Sequence, residues 1–176
     1  MAVQYNNTLE SILDKALEKL TLPENASEKS YLKKIILEEY YRTTIRKKRC
    51  LGLKGQLAIV AAHVIRQKIP VPLSSFINAF DITNKKAFWN NYRCLEDKQR
   101  FSAEDYIKGY AKNFNCDLNS ALEFYKSNYR LLELHKPHVA AAIVLIKCNY
   151  ELKEEICKAL GVSPATIDSI LSRYTQ

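Results

Sequence analysis

Glycine and proline are scarce in this chain, four and five among 176 residues. Long stretches run without a breaker, which argues against a sandwich, a barrel or a linker-rich chain. No two of the five cysteines, at 50, 94, 116, 148 and 157, are spaced as C-x-x-C. That spacing excludes zinc-ribbon and thioredoxin-type sites. An odd cysteine number without a secretory leader fits a reducing, intracellular home. The opening MAVQYNNTLESILDKALEKL is charged and holds no unbroken apolar stretch, unlike a secretory signal. No segment approaches the ~18 apolar residues that a membrane helix needs. The Walker loop, G-x-G-x-x-G, H-E-x-x-H and G-x-S-x-G are all missing, so no catalytic residue, cofactor, metal ion or small-molecule substrate is expected.

What the chain does have is apolar residues (47%) and charge (26%) in the proportions of a soluble globular protein. Its length allows one domain or two small ones. The net charge of +8 favours an anionic partner, nucleic acid first. That charge is concentrated. Residues 1–26 carry a net −2, residues 69–97 are neutral and residues 98–176 carry +2. Residues 27–68 hold eleven basic and three acidic side chains, a net of +8. The densest part is Arg46-Lys47-Lys48-Arg49, with Arg42 one helical turn earlier and Lys54 just beyond. Two readings of this run stand side by side. Cations suit the C-terminal end of a helix, and four adjacent cations suit a phosphate backbone.

Apolar positions recur at helical spacing almost throughout. Helices are expected at about 8–20, with Ile12, Leu13, Ala16, Leu17 and Leu20 inward, and from Ser27, with Tyr31, Ile35, Ile36, Tyr40 and Ile45 inward. Gly52 reads as a stop signal. LAIVAAHVI at 57–65 is apolar nearly all round, the mark of a central buried helix. Short helices follow at 73–80 and 84–95, the second capped by Thr83. Ser102 and Asp105 form a capping-box variant. Asp117 caps a helix reaching Leu132, with Leu118, Ala121, Leu122, Tyr125, Tyr129 and Leu132 inward. Lys136-Pro137 opens a second all-apolar helix, VAAAIVLI at 139–146, and helices at 152–160 and 164–174 complete the chain.

An offset of 80 residues aligns Ala61-Ala62 with Ala141-Ala142, Val64 with Val144, Phe76 with Ile156, Phe80 with Leu160, Ile82 with Val162 and Thr83 with Ser163. The order of events predicts two tandem five-helix units, residues 8–97 and 98–176. The alternative is two unrelated helical stretches sharing a period. The strongest local motif is LKEEICKALGVSPATIDSILSRY, which reads as a helix-turn-helix. Cys157 takes the crossing position, Gly161 permits the tight turn, Ser163 caps and Pro164 opens the last helix. Ile156, Leu160, Val162, Ile167 and Ile170 form the buried face. The N-terminal turn of that helix, Pro164 to Ser169, would meet base edges. A purely structural helix-turn-helix is the alternative, and the carboxylate of Asp168, which phosphates repel, favours it.

Other patterns read as packing or solvation. His135 and His138 lack a third ligand. His63 reads as a hydrogen-bonded core residue. Glu154-Glu155 lie on a solvated face between Lys153 and Lys158. Trp89, Phe88 and Tyr92 read as packing aromatics rather than base-stacking platforms.

These features resemble the core domain of transcription factor IIB and its archaeal counterparts, a double cyclin fold. Gly52-Leu53-Lys54-Gly55 ahead of AIVAAHVI is similar to the lead-in to the buried helix of that family's first repeat. Lys136-Pro137 ahead of VAAAIVLI is similar to the Lys-x-Pro lead-in of the second repeat, one residue shorter. The last 23-residue motif is similar to the family's C-terminal helix-turn-helix, and the resemblance covers about residues 8–175. It implies an all-α fold of two tandem five-helix cyclin-like repeats, the second ending in a helix-turn-helix. It also implies binding to double-stranded DNA, with TATA-binding protein on promoter DNA as a partner. Arg42, Arg46, Lys47, Lys48, Arg49 and Lys54 would then face phosphates, and the resemblance puts Ala165, Thr166, Asp168, Ser169, Ser172 and Arg173 of the last helix toward a DNA groove. Two departures stand out. The chain has no zinc ribbon and no reader segment, so it is expected to compete with a full-length factor rather than replace it. Asp168 stands where the family's recognition helix usually has arginine. The alternative function is a cyclin-like adaptor that binds a protein partner, although the cyclin box's own first-helix arginine motif is missing.

Overall fold

The structure is a computed structural model and describes residues 2–43, 51–95 and 98–174, except the side chains of 2–7 and 174. Among the described residues it is entirely helical, with no strand. The chain separates into two compact units. The first holds residues 1–21, 27–68 and 75–99, and the second holds 22–26, 69–74 and 100–176.

In the first unit, α1 (Ala2–Lys19) and α2 (Lys29–Thr43) pack on α3 (Leu53–Ile65). Leu9, Leu13, Ala16 and Leu17 of α1 are buried, the spacing of a single helical face. On the flank of this face, Glu10 and Asp14 reach Lys33 of α2 at 3.8 and 2.9 Å. The hydrogen bond and charge of Asp14 push the Lys33 amine upward. Two short helices follow α3, α4 (Leu73–Ala79) and α5 (Lys85–Arg93), and α5 also packs on α3. Arg66, which ends α3, is buried, and its Nε donates to the Tyr92 hydroxyl at 3.1 Å. A cation suits that helix end.

In the second unit, α6 (Ala103–Tyr110), α7 (Leu118–Ser127), α10 (Lys153–Leu160) and α11 (Pro164–Tyr174) pack around α9 (Pro137–Cys148). A one-turn helix, α8 (Tyr129–Leu132), lies between α7 and α9. Every residue from Ala140 to Ile146 is buried. The alanines make this close approach possible, because a methyl side chain lets neighbouring backbones come near. Short segments of earlier chain join this unit. Asn113 accepts from the Glu24 amide at 2.8 Å and donates to the Leu22 carbonyl at 2.9 Å. A Cβ on Gly109 would lie 3.0 Å from Pro70 Cγ and 3.4 Å from Pro23 Cγ. Glycine in this last turn of α6 admits the two prolines.

Several expectations meet local corrections. Leu32, not Tyr31, faces inward on α2, and Tyr31 is exposed. Ile45 lies outside the described residues. Gly52 stands at the N-cap of α3, which starts at Leu53 rather than 57, and residues 44–50, on which its reading as a stop signal depends, lie outside the described residues. The cap of α5 is Asn84, one residue after Thr83, with its Oδ1 accepting from the Ala87 amide at 3.1 Å. The helix expected to run unbroken to Leu132 breaks at Asn128, whose φ of −115° and ψ of 19° leave the helical region. The break turns Tyr129 to solvent, while Ala121, Tyr125 and Leu132 remain buried. Leu118 also stands exposed in the first turn of α7. The capping box holds: the Ser102 amide donates to Asp105 Oδ2 at 2.8 Å and the Asp105 amide to Ser102 Oγ at 3.3 Å. Asp117 caps α7 through the Ser120 amide at 3.0 Å.

The closing helices of the two units run in step. α4 and α10 begin eighty residues apart, and α5 shifted by eighty lies inside α11. Ala61, Ala62, Ala141 and Ala142, paired by the same offset, are all fully buried.

Candidate nucleic-acid interface

Helix α10 opens with Glu154 and Glu155 in its first turn, where carboxylates suit the helix dipole. Ile156, Cys157, Ala159 and Leu160 turn inward. Gly161 then takes the left-handed conformation, with φ 64° and ψ 35°. The Val162 amide reaches back to the Cys157 carbonyl at 2.9 Å and the Gly161 amide to that of Lys158 at 3.4 Å. This is the two-bond closure of a Schellman turn, which any side chain at Gly161 would strain. Pro164 opens α11, where its missing N–H leaves nothing unpaired. The Ser163 carbonyl accepts from the Ile167 amide at 3.2 Å. Ile167, Ile170 and Leu171 are buried.

The opposite face of α11 is open. Ala165, Thr166, Asp168, Ser169, Ser172 and Arg173 are all exposed. Ala165, Thr166, Ser169 and Ser172 are small, so the face has low relief. Ser172 Oγ donates to the Ser169 carbonyl at 2.8 Å. Asp168 is committed elsewhere, because it forms an ion pair with Lys153 at the start of α10. The hydrogen bond and charge of Asp168 push the Lys153 amine above the ordinary lysine range. Lys153 Nζ also lies 5.8 Å from the centre of the Tyr150 ring. The pairing of Lys153 with Asp168 is not legible in the sequence, because 15 residues separate the two. No local spacing rule joins such positions, and the Gly161 turn brings them together.

The cationic residues fall in the first unit. Arg46, Lys47, Lys48 and Arg49 lie outside the described residues. Arg42, in the last turn of α2, pairs with Glu39 at 2.8 Å while its side chain stays 76% exposed. Its charge is thus partly answered but remains reachable. Lys54 is exposed in the first turn of α3. A cation is electrostatically disfavoured at that end of a helix. Asp81 lies near enough to feel Lys54, but its carboxyl is held low first by its hydrogen bond to Lys19 and then by the Lys19 charge. Lys19 Nζ to Asp81 Oδ2 is 2.9 Å.

Within the first unit Phe88 and Tyr92 are buried and stacked with centroids 6.5 Å apart, and Trp89 is half-buried. His63 is half-buried, with Gln67 Nε2 3.4 Å from its Nδ1. Among the described residues no group of three His, Cys, Asp or Glu side chains is arranged to hold a metal ion. No helix among them is long and apolar enough to cross a membrane. The chain matches no family model, and neither a curated protein nor a solved structure matches it.

Proposed function

We propose that this protein is a DNA-binding transcription factor built like the core of transcription factor IIB: two five-helix cyclin-like repeats, the second ending in a DNA-facing helix-turn-helix. On this reading it works inside the cell without enzymatic activity. The cation run of the first repeat lies on phosphates, and α11 approaches a groove. It competes with a full-length factor at promoters bound by TATA-binding protein. The observation that carries the reading is α10–Gly161–α11, a tight turn between two helices whose second member leaves a low, polar face open. The eighty-residue step between the closing helices of the two units supports the repeat. The decisive experiment is binding to duplex DNA across a salt series, with and without TATA-binding protein. Salt-sensitive binding that TATA-binding protein strengthens is the expected result. Absence of DNA binding at low salt in both arms would overturn the reading.

One observation favours a second reading, the cyclin-like adaptor for a protein partner. The Lys153–Asp168 pair takes up a cation and puts a carboxylate on the face that would meet DNA. If DNA is not bound, this adaptor role becomes the better account of the same fold.

A further inference from the structure

The end of α9 is tied to the segment 114–116 by two hydrogen bonds within the second unit. Asn115 takes a left-handed conformation with φ 54° and ψ 36°, which reverses the chain after the short 3-10 turn Lys112–Phe114. The Cys116 amide then donates to the Ala111 carbonyl at 2.9 Å. Asn149, just past α9, donates from Nδ2 to the Phe114 carbonyl at 3.0 Å. The Cys116 thiol lies 3.6 Å from the Leu145 carbonyl, one turn before Cys148, the last residue of α9. That contact sets the Cys116 side chain beside the turn of α9 that ends at Cys148, and each thiol acts on the other's titration. Cys148 is exposed, whereas Cys116 is buried. The pair thus joins a residue open to solvent with one that is covered.

We propose that Cys116 and Cys148 are an oxidisable pair, in which a peroxide attacks Cys148 and Cys116 closes the disulfide. In the first step Cys148, as the thiolate, attacks one oxygen of hydrogen peroxide, and the departing hydroxide takes up the proton that the thiol gave up. The O–O bond breaks, an S–O bond forms, and one water leaves, giving a sulfenic acid. In the second step Cys116 sulfur attacks Cys148 sulfur. The S–O bond breaks, and the departing hydroxide takes the Cys116 proton as a second water. Two thiols lose two electrons and two protons, and one peroxide becomes two waters. The buried partner traps the sulfenic acid before further oxidation. Burial pushes both thiols up, Cys116 to about 11. Both are therefore protonated near neutrality, and closure is slower than at a dedicated low-pKa cysteine. The closed bond would tie the start of α7 to the end of α9 across residues 116–148. This inference does not depend on DNA binding.

Treating the whole chain with hydrogen peroxide and mapping peptides without reductant tests it. The expected product is one Cys116–Cys148 cross-linked peptide, two hydrogens lighter than its parts, that dithiothreitol reverses. Exposed Cys94 of the first unit should instead accumulate sulfenic and sulfinic acid under the same dose. A Cys116→Ser variant should leave Cys148 as a sulfenic acid trapped by dimedone. In the parent chain, Cys148 overoxidised beside a reduced Cys116, or linked to another cysteine, would overturn the proposal. So would a Cys148 that stays reduced at a dose that oxidises Cys94. The parent map alone decides the matter if the serine variant fails to fold.

Discussion

Lys153 and Asp168 form an ion pair that joins the first residue of α10 to the second turn of α11. Lys153 is mostly covered, with its side chain 17% exposed, whereas Asp168 is open at 58%. The pair therefore bridges the two helices across the Gly161 turn, and Ile156, Leu160 and Ile167 of the same helices are buried. A pair open to solvent on its carboxylate side is salt-sensitive and weak. A double-mutant cycle at the two positions should show a coupling that shrinks as salt rises. A salt-independent coupling would mean that the pair is more deeply shielded than its exposure implies.

The same pair makes a prediction for DNA. Asp168→Ala removes a carboxylate and releases the Lys153 charge, so binding to all sequences should tighten. Asp168→Arg should tighten it further and create a sequence preference at one position, worth ~1–3 kcal/mol against the wrong base. Selection from a randomised duplex pool compares the three proteins. If Asp168→Arg binds no better than the parent, weight moves to the adaptor reading.

Replacing Arg46, Lys47 and Lys48 together by alanine should weaken binding without changing sequence preference. Each phosphate no longer neutralised should lower the slope of log K against log salt by about 0.9. An unchanged slope would leave the run as solvated surface.

Ala141 is fully buried on α9. Ala141→Leu should overpack the second unit and cost ~1–3 kcal/mol in urea unfolding. Gly109→Val should be destabilising for the same reason, since even its Cβ would lie 3.0 Å from Pro70. Ser102→Ala removes the reciprocal cap of α6 and should cost about 1 kcal/mol. A variant of Ala141 as stable as the parent would contradict the close packing around α9.

Two carboxylates set an acid dependence. The hydrogen bond from Lys19 holds the Asp81 carboxyl low, and hydrogen bonds from Ser120 do the same for Asp117. A group whose folded pKa is depressed contributes stability above its unfolded pKa. That contribution is lost as pH falls through the lower folded value. Melting temperature should therefore decline below the ordinary aspartate range. Asp117→Asn keeps a capping oxygen but removes the charge, and it should flatten part of that decline. An identical acid limb in the variant would show that Asp117 contributes nothing to it.

The local grammar of this chain was legible without coordinates. The 3.6-residue recurrence of Leu13, Leu17 and Leu20 marked an inward face. Ser102, Asp117, Pro137 and Gly161 marked helix ends, because capping and left-handed turns depend on side chains within a few residues. The all-apolar stretches around Ala61 and Ala141 announced buried helices, since such segments have no face suited to water. Other features required tertiary structure. Asn128 breaks a helix that its neighbours' periodicity would continue, and the turn from Tyr125 inward to Tyr129 outward follows from that break. Gly109 looks like a weak helix residue until Pro23 and Pro70 close on it. Lys153 with Asp168, and Cys116 with Cys148, are far apart in sequence. Short-range rules act through backbone hydrogen bonds and adjacent rotamers, which composition and spacing encode. Pairings between distant residues depend on how helices cross, and only the packed chain decides that.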